Sequence, residues 1–509
     1  MHPIFDALPL VLNFEVLTVM LAAAVFGLLV GCIPGLTATM ATALLVPITF
    51  FMDPVPAIAA MVTATAMAIF AGDLPGALLR VPGTPASAAY AAEAYAMTRK
   101  GLGEQALGTA LICSAIGGLV GTTVLVLSAP MLAEVALQFT QFEYFWLACL
   151  GLTCAVFVST ASPLKGAVSL LIGLFLATVG LDVTAGHPRY TLGVPDLFGG
   201  VAFIPAMIGM FAVAEIMRNV LQTQDVPAPR LQGLLHVFRG VGGILRRYWK
   251  GIVRGSAIGT GVGVLPGAGG DIGAWVSYAL SKRFSKEPQK FGTGHVEGIV
   301  DAGASNNAAL SGAWVPALVF GIPGDSITAI VIGVLYVKGM NPGPMIFINS
   351  PELIYGVFVA FFIANLALIP LGFLAIGGAR YILRIPRSVI WPIVLLLSIV
   401  GAYAIDNSLF GVVIVLVMGV LAFIMEENGF PVAPAILGLV LGPMLEGNFM
   451  TAMIKADGDL LAFFERPIAA VLGVLVLLVW LLPLLSAAWR GVAGRPASPI
   501  SSEEERDAR

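Results

Sequence analysis

Apolar segments of membrane-spanning length follow one another along almost the whole chain, between about residues 12 and 488. A transmembrane helix needs about 20 mostly apolar residues. Charged residues make up only 11% of the chain and hydrophobic residues 58%, whereas a soluble domain carries about 25% charged residues. We therefore predict an all-α polytopic membrane protein with roughly 10 to 13 transmembrane spans, and we expect several shorter segments to be broken or re-entrant helices.

Composition also excludes several classes of protein. A formal net charge of −3 gives no reason to expect nucleic-acid binding, and so apolar a chain is not disordered. The four cysteines lie in apolar segments without zinc-ligand spacing, so we expect buried thiols and no metal site. No Lys or Arg precedes Arg80, and the first apolar segment exceeds a signal-peptide core, so we expect it to be retained.

Basic residues are concentrated in three clusters, which we assign to the cytoplasm by the positive-inside rule. The clusters lie at 217–254, 282–290 and 380–387, and Arg490 and Arg495 place the C-terminus on the same side. The apolar stretch 255–281 between two of these clusters is too short for two spans of about 20 residues. We therefore predict a re-entrant hairpin with its tip at 265–270, where proline ends one limb and glycines allow the reversal.

The chain contains two copies of one design. Pro34-Gly35 recurs as Pro266-Gly267 with the same preceding glycines, and Pro82-Gly83 recurs as Pro323-Gly324. We predict a first transmembrane repeat at 1–216, a basic cytoplasmic connector at 217–250, and a second repeat at 251–465. A further span at 466–490 and a cytoplasmic acidic tail at 491–509 follow. Hydropathy leaves open whether the repeats are parallel or inverted, and we favour inverted repeats.

Paired repeats with matched helix breaks are typical of secondary transporters. A broken helix presents free N–H groups, which attract anions at half-helix N-termini, whereas the opposite carbonyl ends can coordinate Na⁺. No Gly-x4-Gly-Lys-Ser/Thr phosphate loop is present, so nothing in the sequence indicates ATP hydrolysis.

Six motifs together resemble the large membrane subunit of the tripartite tricarboxylate transporters over roughly residues 15–465. They are 31–36, 81–85, 265–270, 305–308, 321–324 and 339–344. The resemblance implies a bacterial inner-membrane carrier that imports carboxylates such as citrate, driven by a Na⁺ or H⁺ gradient and with no other cofactor. It also implies a small membrane subunit with about four spans and a periplasmic substrate-binding protein. The chain departs from the family pattern at Ala302-Gly303, where Pro-Glu is usual, and at Arg80, where Asn is usual.

We expect the substrate site at the Pro-Gly breaks and at a polar pair in an apolar segment. The predicted substrate-binding residues are Pro34, Gly35, Arg80, Pro82, Gly83, Thr84, Ser87, Pro266, Gly267, Asn306, Asn307, Pro323, Gly324 and Ser326. Alternatives stay open: helix capping for Thr84, Asp325 and Ser326, an interhelical hydrogen bond for the asparagines, and snorkelling to the membrane interface for Arg80.

Carboxylates near the breaks are expected to couple transport to an ion. The coupling residues that we predict are Asp73, Asp271, Asp301 and Asp325, and Glu93 is a further carboxylate near a break. For any one of them a salt bridge is the simpler interpretation, and Asp73 could pair with Arg80. An intramembrane enzyme or a channel is the alternative function. The four histidines lie at ends or loops, where they offer no catalytic constellation, and a two-fold repeat with broken helices favours a carrier.

Overall fold

The computed structural model describes residues 3–158, 162–182, 184–220, 236–267, 269–383 and 387–492, and most of them are helical. Ala268 of the predicted hairpin tip lies outside these ranges. So do Asp225 and Arg230 of the predicted connector, Arg384 of the third basic cluster, and Arg495 with the rest of the acidic tail from residue 493 onward.

Eleven helices make up the described part of the first half. They are α1 Pro3–Val11, α2 Phe14–Cys32, α3 Ala38–Thr49, α4 Pro54–Ala71, α5 Asp73–Leu79, α6 Pro85–Arg99, α7 Gly103–Ala136, α8 Gln141–Val158, α9 Pro163–Ala177, α10 Phe203–Ile208 and α11 Ala214–Val220. A π-helical turn, Gly209–Val213, joins the last two. Strands β1 Gly180–Leu181 and β2 Pro188–Arg189 pair antiparallel in the loop after α9.

The described part of the second half also contains eleven helices. Its helices are α12 Val241–Arg247, α13 Trp249–Val264, α14 Gly269–Phe284, α15 Val296–Phe320, α16 Ser326–Val337, α17 Ile346–Asn349, α18 Pro351–Ile382, α19 Arg387–Asp406, α20 Leu409–Glu427, α21 Val432–Lys455 and α22 Pro467–Val492.

Six segments in the described part of the chain are long and apolar enough to cross a membrane. They are Phe14–Cys32, Pro54–Leu79, Gly103–Ala136, Pro351–Ala379, Leu409–Glu427 and Val432–Lys455. Six shorter apolar helices accompany them. The fold is therefore an all-α polytopic membrane protein with broken helices, as expected. The count of roughly 10 to 13 spans stays a prediction, because several helices are shorter than the about 20 residues of a full span.

The two halves pack into each other. Helix α7 of the first half packs along α15 of the second, and α18 of the second packs along α4 of the first. Helix α21 packs against α8 and α9, while the segment formed by α10 and the π-helical turn packs against α20. Each half thus contributes helices that pack into the other half.

Glycines allow the closest helix contacts at matched places in the two halves. A Cβ at Gly27 would lie 2.2 Å from the carbonyl oxygen of Ala64, and a Cβ at Gly259 would lie 2.2 Å from that of Ser305. Gly255 and Gly263 approach α15 equally closely. Backbones this close leave no room for a side chain, so these glycines allow tight helix packing.

Candidate functional site

The first Pro-Gly turn ends one helix and caps the next. Helix α5 ends before Arg80, whose backbone is left-handed with φ of 61°. The turn then leads to Thr84, the N-cap of α6. The Ser87 N–H donates to Thr84 Oγ1 at 3.1 Å, and the Thr84 N–H donates to Ser87 Oγ at 3.1 Å. This reciprocal capping satisfies two of the donors that a helix N-terminus leaves free.

The second Pro-Gly turn repeats this geometry with other side chains. Helix α15 ends before Gly321, whose φ is 68°, and Asp325 is the N-cap of α16. The Thr328 N–H donates to Asp325 Oδ1 at 2.7 Å, and the Asp325 N–H donates to Thr328 Oγ1 at 2.9 Å. The capping expected of Thr84 and Asp325 is therefore confirmed.

A glycine follows the proline in both turns because the backbone of another segment lies against it. A Cβ at Gly83 would lie 2.7 Å from the Cα of Gly72, and a Cβ at Gly324 would lie 2.7 Å from the Cα of Ala313. Pro82 and Pro323 stand just before these contacts, in the non-helical stretch of each turn. The prolines and glycines therefore shape the turns.

The earlier break of each half also recurs in detail. Helices α2 and α13 end at extended residues, Ile33 and Leu265, whose N–H groups bond to Val30 and Val262 respectively. Pro34 and Pro266 follow them, and Gly35 and Gly267 have φ values of 95° and 78°. The stretch 255–281 is broken as expected, into α13 and α14, which pack against each other, and its re-entrance into the membrane stays a prediction.

Each half supplies a residue that contacts the capped helix of the other half. Thr39, near the start of α3, lies 3.1 Å from Ser326 at the start of α16, oxygen to oxygen. In the matching place, Asp271 Oδ1 accepts the N–H of Ala86 at 3.1 Å, near the start of α6. The tips of the two broken segments therefore meet the N-termini of α6 and α16 across the boundary between the halves.

A cavity of about 280 Å³ lies where these elements meet. It is lined by five of the residues predicted from sequence, Thr84, Asp271, Asn306, Asp325 and Ser326, together with Thr37, Thr39, Glu215, Arg218 and Glu426 among others. Hydroxyl groups, two helix N-termini and several carboxylates thus converge on one space. An arrangement of this kind can bind an anion and a cation side by side.

Arg218 is the one Lys or Arg among the described residues that line this cavity. It pairs with Glu426 of α20, and its Nη1 lies 3.3 Å from Glu215 Oε2. The side chain is still 32% exposed. A guanidinium group matches a carboxylate with two parallel donors, so Arg218 has the geometry to exchange a glutamate for a carboxylate ligand.

Asp73 does not line the cavity but connects to it. The hydroxyl of Tyr90 donates to Asp73 Oδ1 at 2.6 Å, and Asn306 Nδ2 lies 3.5 Å from that hydroxyl oxygen. All three side chains are buried. No ion pair joins Asp73 to Arg80 within the described ranges, so the pairing considered for them is not formed.

Two other carboxylates hold the fold together. Arg254 Nε donates to Asp301 Oδ2 at 2.7 Å, and the Asp301 side chain is fully buried. Glu93 accepts the N–H groups of Gly294 and His295 at 2.7 and 2.8 Å and the hydroxyl of Tyr278 at 2.9 Å. These four bonds join neighbouring helices or loops outside the cavity.

The remaining predicted residues lie around the cavity or away from it. Pro34, Gly35, Pro82, Gly83, Ser87, Pro266, Gly267, Pro323 and Gly324 form the breaks but are not among the cavity-lining residues, and Arg80 is exposed outside it. Asn307 is buried, and neither its Nδ2 nor its Oδ1 has a hydrogen-bond partner among the described residues.

The model of the family described as the tripartite tricarboxylate transporter TctA family matches residues 17–437 of this chain. The chain belongs to the TctA family. The sequence resemblance is thereby confirmed, and the family identifies the chain as a membrane subunit of a tripartite tricarboxylate transporter, which works with other subunits. The family also indicates a transporter and not an enzyme.

Two relatives from Agrobacterium vitis are similar to this TctA-family chain. An uncharacterized 52.8 kDa protein in the TAR-I ttuC′ 3′ region is 36% identical over 90% of the chain and 91% of its own length. An uncharacterized protein in the TAR-II ttuC′ 3′ region is 36% identical over 44% of the chain and 93% of its own length. No solved structure matches the chain.

Three charged cavity residues, Glu215, Arg218 and Glu426, are not predicted from the sequence. In the sequence Arg218 belongs only to a basic cluster, and nothing pairs it with residue 426. Thr37 and Thr39 were also missed, although a signal was present. They follow Pro34-Gly35 as Gly269 and Asp271 follow Pro266-Gly267, so the repeat itself could have located them.

Proposed function

We propose that this TctA-family chain is the translocating subunit of a binding-protein-dependent secondary transporter that imports tricarboxylates or related carboxylates. The observation that carries the proposal is the cavity between the halves, on which the N-termini of α6 and α16 converge. Helix N-termini favour anionic groups through free N–H donors and the helix dipole. In this proposal Thr39, Thr84 and Ser326 offer hydroxyls to the substrate, and Arg218 offers the fork of donors that a carboxylate fits.

The charges around the cavity support coupling to a cation. Glu215, Asp271, Asp325 and Glu426 line it, whereas Arg218 is the single cationic residue on its described lining. A carboxylate anion would be repelled by this excess of negative charge unless cations entered with it. We therefore propose symport with Na⁺ or H⁺, with Asp271 and Asp325 as the residues that bind the coupling ion.

The distribution of charge supports inverted repeats. Basic residues lie at the outer ends of α13 and α14 and in α12, which precedes them, namely Arg246, Arg247, Lys250, Lys282 and Arg283. The corresponding ends of α2 and α3 carry no Lys or Arg and have Asp6 and Asp53 nearby. The positive-inside rule then assigns the two broken segments to opposite faces of the membrane. We propose that the second segment enters from the cytoplasm and the first from the periplasm.

This orientation determines on which side of the membrane each partner protein would act. We propose that the chain lies in a bacterial inner membrane with its C-terminus in the cytoplasm. A periplasmic binding protein delivers the carboxylate, and a small membrane subunit of about four spans completes the assembly. Reading frames for two such proteins beside this one would support the assignment.

Reconstitution of the three proteins in liposomes tests the function. Labelled citrate and other carboxylates are offered together with the binding protein, under an imposed Na⁺ gradient or an imposed pH gradient. We expect saturable uptake that needs both the binding protein and one of the two gradients. Uptake that does not saturate, or that runs without a gradient, contradicts the proposal and indicates a channel.

A further inference from the structure

A second cavity, of about 580 Å³, lies at the ends of α12, α13 and α14, away from the site between the halves. Four basic side chains line it, those of Arg247, Lys250, Arg254 and Lys286. Three aromatic rings and two acids line it as well, those of Tyr248, Trp249, Phe284, Glu287 and Glu297. We call this space the basic cleft.

Most of the negative charge in the basic cleft is already paired. Arg254 Nη2 contacts Asp301 Oδ2 and lies 3.8 Å from Glu297 Oε1. The other carboxylate oxygen of Glu297 accepts the hydroxyl of Ser285 at 2.6 Å. Lys290 Nζ lies 2.5 Å from Glu287 Oε1, and this bond lowers the pKa of the Glu287 carboxyl below its usual value. The Glu287 carboxylate is thus ionised, and its negative charge is balanced by Lys290 of the same loop.

The other three cations have no such partners. Arg247, Lys250 and Lys286 are exposed, and none forms an ion pair with any residue in the described part of the chain. Three positive charges around one concave space create a strong local attraction for an anion. The basic cleft therefore has donors and charge to spare for an anionic ligand.

Apolar side chains border the same cations. Trp249 is 56% exposed, Val253 58% and Phe284 65%. Val253 lies one helical turn beyond Trp249 on α13, a helix that begins beside the basic residues. Tryptophan is enriched where membrane proteins meet the interface between lipid and water. The ligand that fits this surface has an anionic group beside a hydrocarbon chain.

We propose that the basic cleft binds the phosphate group of an anionic phospholipid, with the acyl chains along Trp249, Val253 and Phe284. Clusters of Lys and Arg between membrane helices bind anionic headgroups in this way. The chemistry recognised is a phosphate oxyanion, which a free phosphate ion shares. The apolar border favours the lipid, because a free ion gains nothing from it.

Thermal unfolding of the purified full-length chain in neutral detergent tests the proposal. Phosphatidylglycerol, phosphatidylcholine and inorganic phosphate are titrated separately, and the concentration that half-maximally raises Tm is recorded. We expect phosphatidylglycerol to raise Tm and the other two to leave it unchanged at the same concentrations. An equal effect of phosphatidylcholine overturns the proposal, and an effect reproduced by phosphate alone assigns the cleft to a free ion and overturns the lipid assignment.

Matched variants test the location. The variant R247Q/K250Q/K286Q removes the three unpaired cations, and R246Q/K282Q/R283Q removes three exposed cations of neighbouring positions that do not line the cleft. The first variant should need at least about tenfold more phosphatidylglycerol, and the second should match the wild type. Equal loss in both overturns the proposal. If the triple variant does not fold, K250Q and K286Q singly serve the same comparison.

Discussion

The two Pro-Gly turns, 80–87 and 321–328, follow the same backbone path with different side chains. Both begin with a left-handed residue, both place a glycine against another backbone, and both end in a reciprocal cap. The first has Arg80, Thr84 and Ser87 where the second has Gly321, Asp325 and Thr328. Backbone geometry is therefore what the repeat preserves.

The difference lies in where charge is placed. Asp325 caps the second turn itself, and Asp271, which contacts the first turn, also belongs to the second half. The first half contributes Arg218 with its acidic partner Glu215, and the hydroxyls of Thr39 and Thr84. Two similar backbone turns can therefore carry different charges. We infer that the second half binds the cation and that the first half binds the anion.

The largest effect is expected from a test of what the turns share. Gly83→Ala and Gly324→Ala would each place a Cβ 2.7 Å from a backbone Cα. Overpacking of this kind costs about 1–3 kcal/mol. We expect each variant to lose at least about tenfold in uptake and to unfold at a lower temperature, as measured in proteoliposomes and by thermal unfolding.

The control for this test is Gly261→Ala, since nothing lies within 4 Å of a Cβ at Gly261 on α13. Alanine in an open helical position should keep uptake and leave Tm equal or higher. If only one of the two turn variants is impaired, the turns are not equivalent and the comparison fails.

The second-largest effect is expected from removing the negative charges that the second half contributes to the cavity. Asp271→Asn and Asp325→Asn each remove a negative charge, and Asn caps helices as well as Asp does, so the fold is kept at residue 325. We expect each variant to lower uptake about tenfold and to weaken its dependence on the Na⁺ or pH gradient, measured with varied gradients in proteoliposomes.

Asp459→Asn is the matched control, because Asp459 is also an N-cap, that of the short 3-10 helix Leu460–Phe464. Its Oδ1 accepts the N–H of Leu461 at 2.8 Å, and it lies outside the cavity. Its gradient dependence should equal that of the wild type. A full gradient dependence in both cavity variants would remove the cation role from the second half.

A third test addresses the anion role of the first half. Arg218→Gln removes the charge that faces the cavity, and a hydrogen bond to a charged group contributes about 1.5–3 kcal/mol. We expect KM for the carboxylate to rise roughly tenfold or more, with partial recovery in Arg218→Lys. Arg466→Gln, which breaks an ion pair with Glu143 elsewhere, should leave KM unchanged. An unchanged KM in Arg218→Gln contradicts the role.

The smallest effect is expected at the residues that open the two turns. Arg80→Asn introduces a residue that tolerates the left-handed conformation, so the free energy of unfolding should change by less than about 1 kcal/mol. KM for the carboxylate should not change, because Arg80 lies outside the cavity. Gly321→Ala should lower stability by about 1 kcal/mol. A tenfold rise in KM for Arg80→Asn would restore Arg80 as a substrate ligand and break the symmetry of the turns.

Much of the fold could be predicted because helix breaks are local. Proline removes a donor and fixes φ, and glycine adopts positive φ, so Pro266-Gly267 favours a helix break through the properties of its own two residues. The capping of Thr84 and Asp325 is local for the same reason. The roles of Asp73 and Asp301 are not set by neighbouring residues, because each carboxylate bonds to a side chain on another helix. Asp73 bonds to Tyr90, and Asp301 bonds to Arg254.

The sequence by itself determined a membrane protein of two repeats with breaks at fixed residues, since hydropathy and backbone preferences depend only on neighbouring residues. Only the tertiary structure decided which polar residues share a cavity. Thr39 contacts Ser326, Asp271 bonds to the N–H of Ala86, and Arg218 pairs with Glu426. Each of these contacts crosses the boundary between the halves. Such contacts depend on how whole helices pack, and packing is set by the sum of many contacts that no short stretch of sequence contains.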